Sequence, residues 1–298
     1  MKLYSIETGN FKLDGGAMFG VVPKPLWEKT NPADSKNRIE MSARCLLIED
    51  GDKLILVDAG LGDKQSEKFF SHYSRSGDAS LLTSLNSLGF SPNDITAVLF
   101  THLHFDHCGG ATKREGDKIV PVFKNARFYC SKSHWEWATV SPNPRERASF
   151  LQENLLPLME SGQLTLYKGD EDGVYPELGL DLVLVNGHTE KMALPKVKYQ
   201  GKTILFASDL VPTAGHIPVP YLMGYDVRPL VTMDEKSSIL KSAVEQDTLL
   251  FMQHDPYNEI VVLKDTEKGV RLDVGMSLNE AFESVSYTHL TLPTKRIV

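Results

Sequence analysis

One sequence pattern recurs four times in this chain: a short apolar run is followed at once by histidine or aspartate. The polar residues that follow the runs lie in the segments 101–107, 186–189, 208–209 and 253–255. Each apolar run is typical of a buried β-strand. If strands of one sheet end at the same edge, the side chains that follow them lie close together. The pattern therefore predicts a polar site assembled from strand ends.

The densest of these segments follows the apolar run 95–100 and holds four polar side chains within six residues: His102, His104, Asp106 and His107. A packed core does not hold so many polar groups, because each buried polar group needs a partner. Imidazole nitrogen and carboxylate oxygen are common ligands of zinc and similar divalent ions. The segment therefore predicts a metal site at a strand exit.

The other three strand ends contribute His188, Asp209 and His254. Together with the first segment they provide five histidines and two carboxylates, which is enough for two metal ions if a carboxylate such as Asp209 bridges them. Asp58, at the exit of the predicted strand 53–57, is expected to orient a ligand histidine from behind. A turn-capping role is the alternative for Asp58.

Composition limits the class of protein. The chain has 298 residues and a formal net charge of −7, which argues against a nucleic-acid or anionic-membrane partner. Its apolar runs are shorter than the roughly 18 residues that a membrane span needs, and its first residues are too polar for a signal peptide. Three scattered cysteines are typical of free thiols in a reducing compartment. We therefore expect a cytoplasmic protein.

Two segments rich in glycine and proline are candidates for the substrate side of the site. Residues 11–37 are predicted to be irregular, either as an apolar lid or as a surface loop with apolar anchors. Residues 212–226 form the second segment. The candidate substrate contacts in the two segments are Phe19, Trp27, His216, Tyr221 and Tyr225. For His216 an exposed loop position is the favoured alternative.

The spacing of these motifs resembles the metallo-β-lactamase-fold hydrolase superfamily over residues 40–256, and most closely its branch of acyl-homoserine lactonases and methyl-parathion-hydrolase-like enzymes. The resemblance implies an α/β (α+β) fold, a four-layer αββα sandwich with the metals at one edge of the sheets. It also implies that one metal binds His102, His104 and His188, and that Asp209 bridges. The second metal then binds Asp106, His107 and His254.

The sequence departs from the family pattern in two places. Many relatives continue Thr-Pro-Gly-His after the fourth histidine, whereas this chain has Thr189-Glu190-Lys191-Met192, so we expect the tight turn there to be lost. The lactonases place a tyrosine three residues after the bridging aspartate, where this chain has Pro212. Tyr221 or Tyr225 is the candidate replacement.

The resemblance implies a dinuclear metal-dependent hydrolase in which a metal-bridging hydroxide attacks a lactone, a carboxylic ester or an organophosphate ester. Zinc is the expected metal, with manganese, iron and cobalt as alternatives, and Asp106 is the expected catalytic residue that steers water or carries a proton. The expected partner is a small-molecule ester or lactone, and a homodimer is possible. The alternatives are a mononuclear iron dioxygenase, a nucleic-acid-processing relative and a non-catalytic metal-binding protein.

We expect residues 1–283 to form a single domain. The last residues, 284–298, lack the strand-then-ligand pattern and resemble translated vector sequence. We therefore predict that this tail is non-native, exclude His289 from the site, and expect its deletion to leave activity and thermal stability unchanged.

Overall fold

Two mixed β-sheets lie at the centre of the computed structural model, which describes residues 1–169, 171–175 and 177–283. The predicted non-native tail lies outside the described residues. Within these ranges the strands, in chain order, are β1 (Lys2–Ile6), β2 (Asn10–Asp14), β3 (Arg38–Ser42), β4 (Cys45–Asp50), β5 (Lys53–Val57), β6 (Ala97–Leu99), β7 (Thr112–Glu115), β8 (Lys118–Pro121), β9 (Arg127–Ser131), β10 (Leu164–Tyr167), β11 (Gly173–Tyr175), β12 (Leu180–Val185), β13 (Met192–Tyr199), β14 (Lys202–Phe206), β15 (Leu249–Phe251), β16 (Ile260–Lys264) and β17 (Arg271–Met276).

The helices cover the outer faces of the sheets and the site edge. In chain order they are α1 (Gly15–Phe19), α2 (Lys24–Trp27), α3 (Glu67–Ser71), α4 (Leu81–Ser87), α5 (Phe105–Cys108), α6 (Lys132–Thr139), α7 (Gln152–Glu160), α8 (Pro229–Glu245) and α9 (Leu278–Glu283). Short 3₁₀ turns occupy 109–111, 147–149, 208–210 and 214–216. Among the described residues, no helix has both the length and the apolar character that a membrane crossing requires.

The larger sheets have the strand orders β1-β4-β5-β6-β9-β10 and β11-β12-β13-β14-β15-β16-β17. In the first sheet β5, β6, β9 and β10 run parallel to one another. In the second sheet only the β14–β15 pair is parallel. Two further hairpin sheets, β2–β3 and β7–β8, lie outside these layers.

The alternation of side chains along β5 explains the layered packing. Leu54 and Leu56 belong to a core that also contains residues of α4, α6 and α7. Ile55 and Val57 belong to a second core, shared with β12, β14 and β15 of the other sheet. A third core joins the far face of that sheet to α8. Because successive strand residues point to opposite faces, one strand serves both cores, and the predicted four-layer αββα fold is confirmed.

The prediction for residues 11–37 was wrong. The segment is not irregular throughout, because β2 pairs with β3 along five residues and two short helices follow it. Two features near the site edge depend on local capping and turns. A 3₁₀ turn at 147–149 precedes α7, and Ser131 caps α6 by accepting a hydrogen bond from His134 N.

Candidate metal centre

The seven predicted ligands lie at one edge of the paired sheets. His102 and His104 follow β6, and Asp106 and His107 lie on the short helix α5, which begins after His104. In the second sheet, β12 pairs antiparallel with β13, and β13 pairs antiparallel with β14. Strands β12, β14 and β15 therefore run in one direction, and their ends deliver the ligands listed next to the same edge: His188, Asp209 and His254.

The first group of ligand atoms converges on one point. His102 Nε2 lies 3.0 Å from His104 Nδ1, and His188 Nε2 lies 3.2 Å from the same atom. Asp209 Oδ2 lies 3.1 Å from His188 Nε2. These four buried residues offer ligand atoms that all lie within 4.8 Å of one another.

The second group consists of Asp106, His107 and His254, again with ligand atoms within 4.8 Å of one another. His107 Nε2 and His254 Nε2 are 3.2 Å apart, and Asp106 Oδ2 lies 3.8 Å from each. Asp209 links the two groups, since its Oδ1 is 3.0 Å from His254 Nε2 while its Oδ2 is 3.1 Å from His188 Nε2.

Each ligand histidine has an inner ring nitrogen, which faces the other ligand atoms, and an outer ring nitrogen, which points away from them. Each outer nitrogen lies at hydrogen-bond distance from an oxygen. His107 Nδ1 lies 2.9 Å from Asp58 Oδ2, and His254 Nδ1 donates to Ser42 O at 2.7 Å. The other three outer nitrogens face Thr101 Oγ1 (His102, 3.1 Å), Glu146 Oε2 (His104, 3.3 Å) and Asp226 Oδ1 (His188, 3.0 Å). An outer acceptor places the ring proton on the outer nitrogen, so that the inner nitrogen presents a lone pair.

This arrangement fits a bound cation. The inner nitrogens and the Asp209 oxygens are all possible metal ligands, and they face one another at about hydrogen-bond distance. Asp209 Oδ1 is buried and has no hydrogen-bond donor among the described residues, although His254 Nε2 is only 3.0 Å away. Buried polar atoms normally have partners, and divalent cations would serve as partners for all of these atoms at once.

Burial and the facing carboxylates act in opposite directions on the ligand histidines. Burial, with His107 and His104 adding to it, holds the pKa of His102 well below its usual value of 6.5. Burial also lowers the pKa of His188, but Asp209 and Asp226 outweigh it and raise that pKa to about 10. Burial likewise opposes protonation of His107, but Asp209 and Asp106 outweigh it and raise that pKa well above 6.5. Burial opposes ionisation of Asp209, but His107, His254 and His188 outweigh it and hold the pKa of that carboxyl well below its usual range. Because a metal binds neutral imidazole and ionised carboxylate, a bound metal would take the place of the protons on these histidines.

Asp58 lies directly behind the second group, as predicted from the sequence. Its Oδ1 accepts from Thr101 N at 2.7 Å, and its Oδ2 accepts from Thr101 Oγ1 and Gln253 Nε2 in addition to facing His107 Nδ1. Asp58 adopts φ +60°, a left-handed conformation that aspartate tolerates better than most residues. One carboxylate thus joins the exit of β5 to the ligand segments that follow β6 and β15.

The family model of the metallo-beta-lactamase superfamily matches residues 39–254, which contain all seven ligands. The chain belongs to the metallo-beta-lactamase superfamily. Among curated proteins it is similar to the N-acyl homoserine lactonase of Bacillus thuringiensis, with 23% identity over 268 residues that cover 85% of this chain and 93% of that protein. The match to the lactonase of Bacillus cereus has 24% identity and spans 66% of that protein and 63% of this chain.

Solved structures of the superfamily show the same fold. A probable metal-dependent hydrolase from Staphylococcus aureus superposes with a TM-score of 0.82 at 29% identity, over 92% of this chain and 96% of that one. AidC, described as a dizinc quorum-quenching lactonase in complex with its product, superposes with a TM-score of 0.73 at 20% identity, over 92% of this chain and 94% of that one.

A cavity of about 110 Å³ lies beside the ligands of this superfamily site. Of the five predicted substrate contacts, Tyr225 lines it. Phe19, Trp27, His216 and Tyr221 do not line it, and the prediction that the first three contact substrate is wrong because they form a buried stack behind it. The residues that line the cavity are Leu13, Met18, Met41, Tyr73, His104, Phe105, Asp106, Arg145, Glu146, Ser149, His188, Asp209, Met223, Tyr225 and His254.

The aromatic stack supports the cavity wall from behind. The ring of Phe19 lies 5.2 Å from that of Trp27 and 4.1 Å from that of His216, and all three side chains are buried. His216 is therefore not an exposed loop residue. It donates from Nε2 to Met18 O at 2.9 Å, and Thr213 Oγ1 lies 2.8 Å from its Nδ1. The stack thus fixes Met18, which does line the cavity.

Three supporting residues escaped the sequence analysis. Glu146 and Asp226 hold ligand histidines, but each lies in a loop where no strand-end pattern marks it. His134, on helix α6, is buried. Its Nε2 accepts from Leu103 N at 2.9 Å and its Nδ1 donates to Glu190 O at 2.5 Å. His134 thus ties the first ligand segment to the loop after His188.

The loop after His188 contains a turn at residues 190–191. Lys191 adopts φ +49° at the turn, a left-handed conformation that usually favours glycine. The Glu190 carboxylate accepts from Arg228 Nη2 at 2.7 Å. Gly187, just before the ligand, is required by packing, because a Cβ there would lie 2.3 Å from Thr232 N of α8.

Proposed function

We propose that this chain is a dinuclear metal-dependent hydrolase, with zinc as its metal, that cleaves a lactone, a carboxylic ester or an organophosphate ester. The observation that carries the proposal is the position of Asp209, whose two oxygens each lie about 3 Å from a histidine of a different ligand group. A carboxylate in this position can serve two cations at once. The lactonase relatives support the ester and lactone classes of substrate.

The two groups would hold the cations separately: His102, His104 and His188 on one side, Asp106, His107 and His254 on the other, with Asp209 between them. When bound, such a pair supplies hydroxide near neutral pH and polarises a carbonyl or phosphoryl oxygen. The protein contributes the fixed geometry, because every histidine ring is held from behind by an oxygen acceptor.

Three side chains that line the cavity are suited to act on the substrate. Asp106 borders both the ligand atoms and the cavity, where its carboxylate would orient the attacking water or carry a proton to the leaving group. Burial, with Asp106 adding to it, raises the pKa of Tyr73 to about 12. Burial, with Asp14 adding to it, also raises the pKa of Tyr225 to about 12. Both phenols therefore keep their protons at neutral pH and can donate to a substrate oxygen.

The alternative activities account for fewer features of the site than the dinuclear hydrolase does. A mononuclear iron dioxygenase would leave one of the two ligand groups without a role. A non-catalytic metal protein would close the coordination shell, whereas an open cavity here borders five of the ligands. The three cysteines are free and buried, which supports our proposal of a cytoplasmic location.

The proposal is tested by measuring metal content and hydrolysis on the same samples. Mass spectrometry should find two zinc equivalents per chain after zinc loading. The loaded protein is then assayed on N-hexanoyl homoserine lactone, 4-nitrophenyl acetate and a phosphotriester. His104→Ala and Asp209→Ala should abolish whichever activity the parent shows.

The matched control is His72→Ala, because His72 is an exposed histidine at the end of α3, outside both ligand groups. Its metal content and activity should equal those of the parent. The proposal fails if the parent binds a single metal equivalent. It also fails if the His104→Ala and Asp209→Ala proteins hydrolyse the substrates as fast as the parent.

A further inference from the structure

A second cavity, of about 600 Å³, lies beside the segments 59–64, 75–82 and 110–114. It shares no lining residue with the cavity at the metal centre. This volume falls within the range of small-molecule sites, which extends from about 300 to 1,000 Å³. The cavity is therefore large enough for a ligand of its own.

The charged residues that line this second cavity carry an excess of positive charge. Four are cationic and one is anionic: Lys64, Arg75, Lys113, Arg114 and Asp63. The chain as a whole has a net charge of −7, so a local excess of positive charge is not a reflection of composition. Lys113 and Arg114 have carboxylate partners, each at 3.8 Å. Lys64 and Arg75 form no ion pair with any residue that the structure describes.

The missing ion pair is more unusual for Lys64 than for Arg75, because the Lys64 side chain is buried, with 7% exposure. Its ammonium donates to Gly109 O and to no other acceptor in the described ranges. An ammonium has three donors, and a buried charge is stable only when it is paired or well hydrogen-bonded. Burial lowers the pKa of Lys64 to about 8, so the group is still mostly charged at neutral pH. Its missing partner is therefore an anion.

Arg75 is held in place beside the same cavity. Its guanidinium carbon lies 3.3 Å from the centre of the Phe70 ring, and Nη1 donates to Gly62 O at 2.9 Å. The remaining guanidinium donors have no acceptor among the described residues. Thr112 Oγ1, also in the lining, is a buried hydroxyl without a described partner. Lys64 and Thr112 are thus buried polar groups with donors left over, and the exposed Arg75 has guanidinium donors that a bound oxyanion could accept from.

The rest of the lining consists mostly of small residues, some polar (Thr8, Asn10, Ser76 and Ser80) and some apolar. Leu61, Leu81, Leu82 and Val122 contribute apolar surface, and several glycines and alanines leave room above it. A wholly inorganic anion would leave this surface uncovered. An anion that carries a short hydrocarbon group would use both parts of the cavity.

We propose that this second cavity binds an organic anion whose carboxylate or phosphate group lies between Lys64 and Arg75 and whose apolar group covers the leucines. In this position the bound anion lies against the segment that follows Asp58 in the chain, and the segment after His107 contributes Thr112 to the cavity lining. The site is separate from the metal centre and does not depend on the proposed hydrolysis.

The test measures binding of hexanoate, hexyl phosphate and hexan-1-ol to the zinc-loaded full-length protein by calorimetry. At least one of the two anions should bind, and the neutral alcohol should not. Loss of one charged hydrogen-bond donor weakens an interaction by about 10- to 100-fold. We expect that loss in Lys64→Met and again in Arg75→Gln, where the exposed position of Arg75 leaves folding intact. Binding of one anion alone identifies its headgroup class.

Two controls separate this site from others. Lys241→Met removes a cation that is 76% exposed on α8 and should leave anion affinity unchanged. Asp209→Ala removes the bridging carboxylate of the metal centre and should also leave it unchanged. The proposal is overturned if neither anion binds the parent, if both basic-residue variants bind as tightly as the parent, or if Asp209→Ala removes binding.

Discussion

Replacing Glu146 by glutamine should weaken the first metal group without emptying the second. Glu146 is a buried carboxylate whose two oxygens have different partners. Its Oε2 lies 3.3 Å from His104 Nε2, while its Oε1 accepts from Trp137 Nε1 and from Asn143 Nδ2. Glutamine keeps the shape but has only one oxygen, so it cannot accept from both sides.

Either orientation of the new amide therefore loses an interaction. With its oxygen toward Trp137, the amide nitrogen faces the protonated Nε2 of His104. With its oxygen toward His104, the amide nitrogen faces two other donors. Loss of the outer partner of a ligand histidine typically costs 10- to 100-fold in metal affinity. This corresponds to about 1.4–2.7 kcal/mol.

The assay is competition for zinc against a chelator of known affinity, with the bound metal counted at each chelator concentration. One zinc equivalent of Glu146→Gln should dissociate at a chelator concentration 10- to 100-fold lower than the parent requires. The other zinc equivalent should dissociate at the same chelator concentration as in the parent. Glu136→Gln is the control, since Glu136 is an exposed glutamate on the neighbouring helix α6. If Glu146→Gln holds both equivalents as tightly as the parent, Glu146 does not position His104.

Three further changes test other parts of the structure. Asp58→Asn should weaken the second zinc equivalent by a similar factor, measured with the same chelator, because asparagine cannot accept from all the donors around Asp58. Lys236→Met should lower the free energy of unfolding by at least about 2 kcal/mol in denaturant titrations, because the ammonium donates to three carbonyls of the loop 216–221. Burial lowers the pKa of His134 to about 3, so between pH 6.5 and 3 the unfolded chain binds a proton that the folded chain does not. Stability should therefore fall as pH falls through that window, by about 1.4 kcal/mol per pH unit. His134→Gln should reduce the slope, and an unchanged slope would show that the pKa of His134 is not lowered in the folded chain.

The metal ligands could be predicted because each follows its strand directly in the chain. Once β6, β12, β14 and β15 are recognised as buried strands, a common sheet edge places their exits together. For this reason His102 and Asp209 could be predicted as ligands without knowing how the loops fold. Asp58 was found by the same rule, as the residue at the exit of β5.

Glu146 and the aromatic stack could not be found this way. Glu146 reaches His104 only because the 3₁₀ turn 147–149 and α7 pack across the site, and that packing has no local sequence signal. For Phe19 and Trp27 the sequence suggested a lid or an anchored loop and could not identify what they pack against. Phe19 stacks on His216, nearly 200 residues away in the chain, and Trp27 stacks on Phe19, so neither faces the cavity. Apolar periodicity predicts that a side chain is buried and does not identify its neighbours.

The outer partners of the histidines connect the metal centre to the stability of the fold. Four of the five partners come from distant segments, 42 residues from His104, 38 from His188, 49 from His107 and 212 from His254. A metal ion that fixes the inner nitrogens therefore also favours the docked positions of these four segments. A ligand that binds only the folded state adds about 4 kcal/mol of stability when its concentration is 1,000 times its dissociation constant. Because the same contacts orient the ligands and join the segments, metal affinity and folding stability should change together in variants of the outer partners.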